Sequence, residues 1–565
     1  MDDFSGREDV DAPSLVDFGT RQSDALRFQL EKFPFIKVSK SLDMNFCVLY
    51  IPEDKIAEVF SEIGASNLTT YPTILGLMGR RDVEAAQIHT LHTQPYMQLS
   101  GENVLLGFID TGIDFTKDAF KREDGATKIK FIWDQSFKGR HPEHYGYGAE
   151  YSEEDINAAL SQTDPFEAIP HRDSVGHGTF LASVAAGADG GAAPKSCIIS
   201  VKLRKMHEYY MNLGQVPETQ ENAFSSNDLM LGVDYIVTKA AELGMPVSIC
   251  IGLGGNASSH DGYNYLEEYL SHVSQRPGVI ICCAAGNECI ASHHASGSLK
   301  NAGDSFNLDL TCGETAQAGR GFTIHIWNGQ SDRLAVSLTS PAGEKIRRIP
   351  AATGTAHTFN LILETSRVTV EYFFPNPKSG SQFTWIKVFD PAPGIWTVTI
   401  YGERITDGHF DAWLPITGFV DPSVKFLSPS SDCTITPPGT AMGIITIGSC
   451  SALTRSLAPE SSWGPTRLPS LAPDLVAPGV EVRGIFPDGE GTMSGTSAAC
   501  AVASGACALM LQWGVANGNM YSMNTPLAKA YLIRGADKDP GISYPNEQWG
   551  YGRLNLLSAF QNLTL

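Results

Sequence analysis

The sequence predicts an α/β protein: a doubly wound parallel sheet covered by helices, preceded by a small α+β unit and interrupted by an all-β insertion. From about residue 103, near-continuous apolar runs ("NVLLGFID", "CIISVKL", "PVSICIGLG", "VIICCAAGN") alternate with helical stretches such as "NDLMLGVDYIVTKAAELG" and "YNYLEEYLSHVSQ". Strands without polar alternation, separated by helices, belong to a parallel sheet buried on both faces. Between roughly 303 and 425 the helical signal vanishes, and short alternating strands such as "GFTIHIWNG", "RLAVSLTSP" and "GIWTVTIYG" follow one another with Gly, Pro, Asn and Asp between them. That is the pattern of a β-sandwich or jelly roll. From about 436 the α/β pattern resumes with "GIITIGSC", so the β segment is inserted into the larger domain.

At the amino end, residues 44–78 read as strand ("MNFCVLYIP"), helix ("EDKIAEVFSEIGA") and extended segment ("TTYPTILGLM"). Pro52 and the acidic residues after it suit a helix start, and Ile56, Val59, Phe60 and Ile63 recur at helical spacing. A chain of 565 residues exceeds what one core usually serves. The expected division is 1–78, then a main domain of 79–302 and 436–565, with 303–435 inserted into it.

The formal charge of −21, with no basic stripe, argues against a nucleic-acid partner. "MDDFSGREDVDAPS" has neither a basic start nor an apolar core, so no classical signal peptide is expected at this terminus. The apolar runs read as too short and too interrupted to span a bilayer. Eleven cysteines, mostly in apolar stretches such as "GVIICCAAGN" and "AACAVASGACALM", suggest buried free thiols rather than a disulfide framework. CxxC metal spacing is absent.

Four polar residues fall at strand ends or helix starts. Asp110 closes "NVLLGFID" and is followed by "TGID", which alone would suit a turn. His177 stands between Gly176 and Gly178 at the start of a small-residue helix, where missing side chains would let its ring project into a cleft. Asn287 follows a buried strand and would be a turn residue, or an amide donor to a developing oxyanion. In "GTMSGTSAAC", Ser497 is placed at the amino end of a long apolar helix, where a backbone N–H and the helix dipole favour negative charge. The plainer role for that serine is a helix cap.

Asp, His and Ser in this order on an α/β background match the subtilisin chain order of the catalytic triad. "DTGID", "GHGT" and "GTSAA", supported by "LGG" at 253–255, "AAGN" and "APDLVAPG", resemble the subtilisin-like serine proteases over most of residues 80–300 and 436–560. The resemblance implies that Ser497 attacks a peptide carbonyl, His177 takes and returns its proton, and Asp110 orients the imidazole. Asn287 and the Ser497 N–H would hold the oxyanion, while Ser494 is loop. It also implies that extended substrate pairs with Gly252, Leu253, Gly254 and Gly255, and with a second stretch before the next helix, "ENAFSSNDLM". One departure is the tetrapeptide Ala498, Ala499, Cys500 and Ala501, where many members have Met-Ala-Ser-Pro.

By the same resemblance residues 1–78 are a prodomain that assists folding, with self-cleavage near Met78 or Gly79. The retained prodomain, the missing export signal, the long stretch from 201 to 236 and the β insertion are similar to the clostridial Csp-type proteases associated with spore germination. In that group the insertion is a stiffening jelly roll and the cleaved prodomain stays bound. The expected partners are a protein or peptide substrate and the chain's own prodomain, held non-covalently. The expected setting is cytoplasmic or spore-associated in a bacterium of clostridial type. Two alternatives stay open: a pseudoprotease that binds partners, and a protease held inactive by its retained prodomain. The chemistry requires no cofactor or metal. Calcium, a common stabiliser in the family, has no EF-hand loop here, and "DDFSGREDVD", "EYSEED" and "EEY" read as solvated acidic surface.

Overall fold

The computed structural model describes residues 14–63, 72, 74–77, 86–94, 97–314, 321–468 and 470–564. Its centre is an eight-stranded sheet in the order Leu475–Pro478, Ile445–Cys450, Val279–Ala284, Val247–Ile251, Leu105–Asp110, Cys197–Lys202, Ile129–Asp134, Ala149–Ser152. Neighbours are parallel except at the last strand, which returns antiparallel at the edge.

Successive residues point to opposite faces of a strand, and both faces are apolar here. Leu106, Phe108, Cys250 and Cys282 pack in the core that contains helices His177–Ala186 and Thr496–Leu511. Leu105, Ile109, Ile249 and Cys283 share the opposite core with helices Ser226–Leu243 and Tyr265–Val273. After Leu105–Asp110 the chain lays down the strands on one side of it, filling in Cys197–Lys202 last, and then those on the other side. The carboxyl ends of Leu105–Asp110 and Val247–Ile251 therefore border the switch-point crevice where open α/β sheets bind ligands.

All sixteen residues of the Thr496–Leu511 helix are buried. The expectation that no apolar run could cross a bilayer needs correction, since Thr496–Ala516 is long and apolar enough by length and composition. Yet 89% of that window is buried inside the protein, so the helix serves as the central core helix.

Two antiparallel sheets form the sandwich. One runs His294–Ser298, His409–Trp413, Gly321–Asn328, Gln382–Phe389, Arg367–Phe373, Ala356–Asn360. The other runs Lys345–Ile349, Arg333–Thr339, Gly394–Arg404, Ser305–Cys312, Lys425–Phe426. Ile324, Val336, Val368, Ile386 and Trp396 belong to the core between them. His294–Ser298 joins this sheet ahead of residue 303 by pairing with His409–Trp413, and "HASGS" has neither β-branched residues nor alternation to announce the strand.

In the N-terminal unit, strands Leu15–Arg21, Phe46–Pro52 and Lys37–Val38 form an antiparallel sheet with helices Asp24–Leu30 and Ile56–Ile63. Alternation in Phe46–Pro52 divides its side chains. Cys47, Leu49 and Ile51 pack with Val16, Leu26 and Val59 in a core that Met206, Tyr210 and Phe419 also enter, whereas Phe46, Val48 and Tyr50 enter the core under Ser226–Leu243 and Tyr265–Val273. The unit thus shares an apolar core with the main sheet. Farther along, Ile74–Leu77 is a short strand in a separate three-stranded sheet.

Candidate active site

Asp110 lies at the carboxyl end of its strand. Its Oδ1 accepts from Thr111 N (2.8 Å) and Thr111 Oγ1 (3.2 Å), and Thr111 Oγ1 in turn accepts from Gly178 N (3.0 Å). The helix starting at His177 is preceded by Gly176, which has no capping side chain. Asp173 supplies the missing acceptors: Oδ1 takes Gly176 N at 2.7 Å, and Oδ2 takes Thr179 N at 2.9 Å and Thr179 Oγ1 at 2.6 Å. A carboxylate beside a helix amino end is favoured by orphan N–H groups and the helix dipole. Gly178 permits the close approach, because a Cβ there would lie 2.2 Å from Gly112 O.

These supports bring the side chains together. His177 Nδ1 is 2.8 and 2.9 Å from the Asp110 carboxylate oxygens, and His177 Nε2 is 3.1 Å from Ser497 Oγ. An ionised carboxylate only accepts, so the imidazole proton belongs on Nδ1 and Nε2 accepts from the serine hydroxyl. Asp110, His177 and Ser497 are 2%, 5% and 0% exposed, so these contacts lie out of water. Gly495 occupies the cap position of the Thr496–Leu511 helix, which leaves Ser497 inside the first turn and removes the cap role. Ser494 Oγ is engaged elsewhere, accepting from Glu481 N at 3.2 Å.

Asn287 Oδ1 accepts from Thr496 N and Thr496 Oγ1, both at 3.1 Å, and Thr496 Oγ1 accepts from Gly286 N at 3.1 Å. Because a backbone N–H can only donate, the atom facing it is the amide oxygen. The Asn287 NH₂ is then a donor held beside the residue that precedes Ser497. Thr111, Asp173 and Thr496 were not singled out in the sequence. Only Asp173, an acidic residue just ahead of a helix start, carries a local signal.

Both segments expected to border the groove pair with one strand of the chain itself. Leu253–Gly254 pairs antiparallel with Ile74–Leu77, setting Leu253 opposite Leu77 and Gly254 opposite Gly76. On the other edge Ile74 and Leu75 pair with Ser225 and Phe224, within the second stretch expected from the sequence. Gly252 lies at the site itself: a Cβ there would be 3.0 Å from Ser497 Cβ and 3.2 Å from His177 Cε1. Gly255 N donates to Pro437 O at 3.0 Å, which holds the end of this segment. Met78 and Gly79 lie outside the described residues.

A second buried histidine–carboxylate pair, His171 Nδ1 and Asp134 Oδ2 at 2.7 Å, lies nearby. Its other nitrogen accepts from Ile113 N at 3.2 Å, so this ring is occupied by the loop it supports. Burial raises Asp134, but hydrogen bonding to His171 and the His171 and Lys202 charges outweigh it, holding the carboxyl below its ordinary range.

Among the described residues no three His, Cys, Asp or Glu side chains gather as a metal site. Several acidic residues from the predicted surface clusters are in ion pairs: Glu153 with Arg122 and Lys130, and Glu268 with Arg21 and Lys378. Glu267 differs, being fully buried, and burial pushes its carboxyl up to about 8. The cluster at residues 2–11 lies outside the described residues.

Residues 101–341 and 427–552 match the subtilase family. The fold superposes on the structure of the Clostridium perfringens CspB protease with a TM-score of 0.75 and 31% identity, covering 85% of this chain and 98% of that one. Two Arabidopsis thaliana proteins, subtilisin-like proteases SBT3.5 and SBT3.3, are each 25% identical over 272 and 217 residues, or 41% and 33% of this chain. The matches span 32% and 26% of those longer proteins. With its parallel sheet and helices on both faces, the chain has the subtilisin-like α/β fold and belongs to the subtilase family.

Proposed function

We propose that the protein is a serine endopeptidase that cuts its own chain after Met78 and keeps the N-terminal unit bound. The observation that carries this reading is the His177 ring spanning Asp110 and Ser497. Ser497 Oγ adds to a peptide carbonyl carbon as its proton passes to His177 Nε2, and Asp110 stabilises the imidazolium. That proton then goes to the leaving amine as the C–N bond breaks, and water releases the acyl group by the reverse relay. The Asn287 NH₂ and the Ser497 N–H hold the oxyanion.

The register supports the cleavage position. Leu77, the residue before Met78 in the sequence, is opposite Leu253, and Gly252 beside Leu253 abuts Ser497 and His177. Retention is supported by the core that Phe46, Val48 and Tyr50 share with the helices of the main domain. Polar contacts add to it: Arg21 pairs with Glu268 at 2.9 Å, Lys40 with Asp234 at 2.5 Å, and Asp43 with Arg276. Ser497 has no exposed surface and both groove edges pair with Ile74–Leu77, which favours an enzyme whose own tail gates its site. Resemblance to the Csp-type group extends the proposal to a second proenzyme, in spore germination, as the physiological substrate.

Intact mass of wild type and Ser497→Ala, each treated with a fluorophosphonate probe, tests the reading. Cleavage at 78 in wild type alone is the expected result. Labelling then separates an open site from a tail-blocked one. Two folded, full-length, unlabelled proteins would refute the protease assignment in favour of a binding protein.

A further inference from the structure

Between the β-sandwich and the main domain lies a cavity of about 650 Å³, walled on the sandwich side by His325, Trp327, Phe383 and Trp385 and on the other by Asn256 and Tyr265. Trp327 and Phe383 stack with ring centres 4.6 Å apart, and His325 meets Phe383 edge-on at 5.3 Å. The wall is almost free of charge. Burial pushes His325 down to about 3, so its ring is neutral, and Lys378 is paired with Glu268 at 2.8 Å.

Two polar groups on this wall lack partners. Asn256 Nδ2 donates to Leu414 O at 3.0 Å, but its Oδ1 is buried without a hydrogen bond, as is Trp327 Nε1. One is an acceptor and the other a donor, the complement of a peptide group. Buried orphans of this kind are normally satisfied by a ligand or water. The chain shows what enters this space: Pro72, two residues before the strand Ile74–Leu77, also lines the cavity. A peptide in the substrate groove thus runs directly into the space under the sandwich.

We propose that this cavity is an upstream recognition site for peptide substrates, in which the inserted sandwich grips an apolar segment ahead of the strand paired in the groove. This deepens the protease reading and rests on it. Counting back from Met78, Pro72 is the seventh residue before the cut. The sandwich makes specificity depend on residues beyond the ordinary groove: rings for apolar side chains, with Asn256 Oδ1 and Trp327 Nε1 for one N–H and one carbonyl. A continuous strand is recognised mainly through its backbone, so side-chain choice comes from such pockets.

The test compares hydrolysis of TYPTILGLMGR (residues 70–80) and ILGLMGR (residues 74–80) by the processed full chain. Both peptides meet the same competing tail, so the ratio of their kcat/KM values reports the upstream segment. The long peptide should be favoured about tenfold or more. Ala257→Trp, which fills the cavity from its wall, should bring the ratio near one while the short-peptide rate is kept. Trp327→Phe, which removes the indole donor, should lower the ratio in part. Equal rates in wild type would overturn the upstream site and leave the protease intact. If neither peptide is cut, self-cleavage of wild type but not of Ser497→Ala separates a tail-blocked protease from a chain without activity, and in either case amide hydrogen exchange at residues 74–77 in unprocessed Ser497→Ala decides the upstream site. There Ala257→Trp should speed exchange about tenfold, and unchanged exchange would refute the anchoring.

Discussion

Asp17→Ala is expected to loosen the N-terminal unit from the processed protein. Asp17 is buried, and its Oδ2 accepts from Ser225 Oγ at 2.9 Å and Asn227 Nδ2 at 2.7 Å. Ser225 caps the Ser226–Leu243 helix, so the carboxylate lies at a helix amino end and beside the strand residue that pairs with Ile74. Hydrogen bonds to a charged acceptor contribute about 1.5–3 kcal/mol each, and the helix end adds about 0.3–1 kcal/mol. Repulsion from Asp228 opposes them: burial raises that carboxyl, Arg204 lowers it, and the Asp17 charge raises it again. A net loss of about 3 kcal/mol remains, or about 100-fold in the dissociation constant. Most of it should appear in the off-rate. Release of the N-terminal fragment after self-cleavage can be followed by native mass spectrometry on dilution, with Asn227→Ala as the second arm of a double-mutant cycle. An off-rate within threefold of wild type would refute the reasoning and leave retention to the apolar core alone.

Asn287→Ala should slow self-cleavage by about 10²–10³-fold without unfolding the chain, measured as the appearance of the shorter species by intact mass. Asp173→Ala should lower stability by about 2 kcal/mol, because four donors at the start of the His177 helix lose their acceptor, and should slow self-cleavage more than its shift in denaturant midpoint explains. Burial holds His260 and His325 down at about 3, so the unfolded chain gains protons below pH ~6.5 that the folded chain refuses. Stability is therefore lost as pH falls from about 6.5, by about 2.7 kcal/mol for each ring at pH ~4.5. His409, raised by its hydrogen bond to Asp411, works in the opposite sense. Unfolding midpoints from pH 7 to 4.5 should show a flatter slope in His325→Gln, and an unchanged slope would mean that this ring is protonated in the folded protein.

Much of the site was legible because its grammar is local. Asp110, His177, Asn287 and Ser497 each follow an apolar strand or open a small-residue helix, and such transitions are written in adjacent residues. The segment at 252–255, whose Gly252 abuts Ser497 and His177, was legible for the same reason. The strand Phe224–Ser225, only two residues long, has no periodicity to read. Leu15–Arg21 was missed too, because "LVDFGTR" carries Asp17, a buried charge made tolerable by Ser225 and Asn227 some two hundred residues away.

By itself the sequence determined the class of the fold and singled out the side chains that meet at the candidate site. Strand and helix periods, and the glycines that clear space around His177 and Ser497, are short-range steric requirements that leave a mark on neighbouring residues. The tertiary structure alone decided what meets what: the tail register that sets Leu77 against Leu253, the carboxylate of Asp173 under the His177 helix, and the aromatic cavity that Pro72 enters. These contacts join segments distant in the chain, and their strength comes from burial and from satisfying buried polar groups. That depends on packing in three dimensions, which no local pattern of residues encodes.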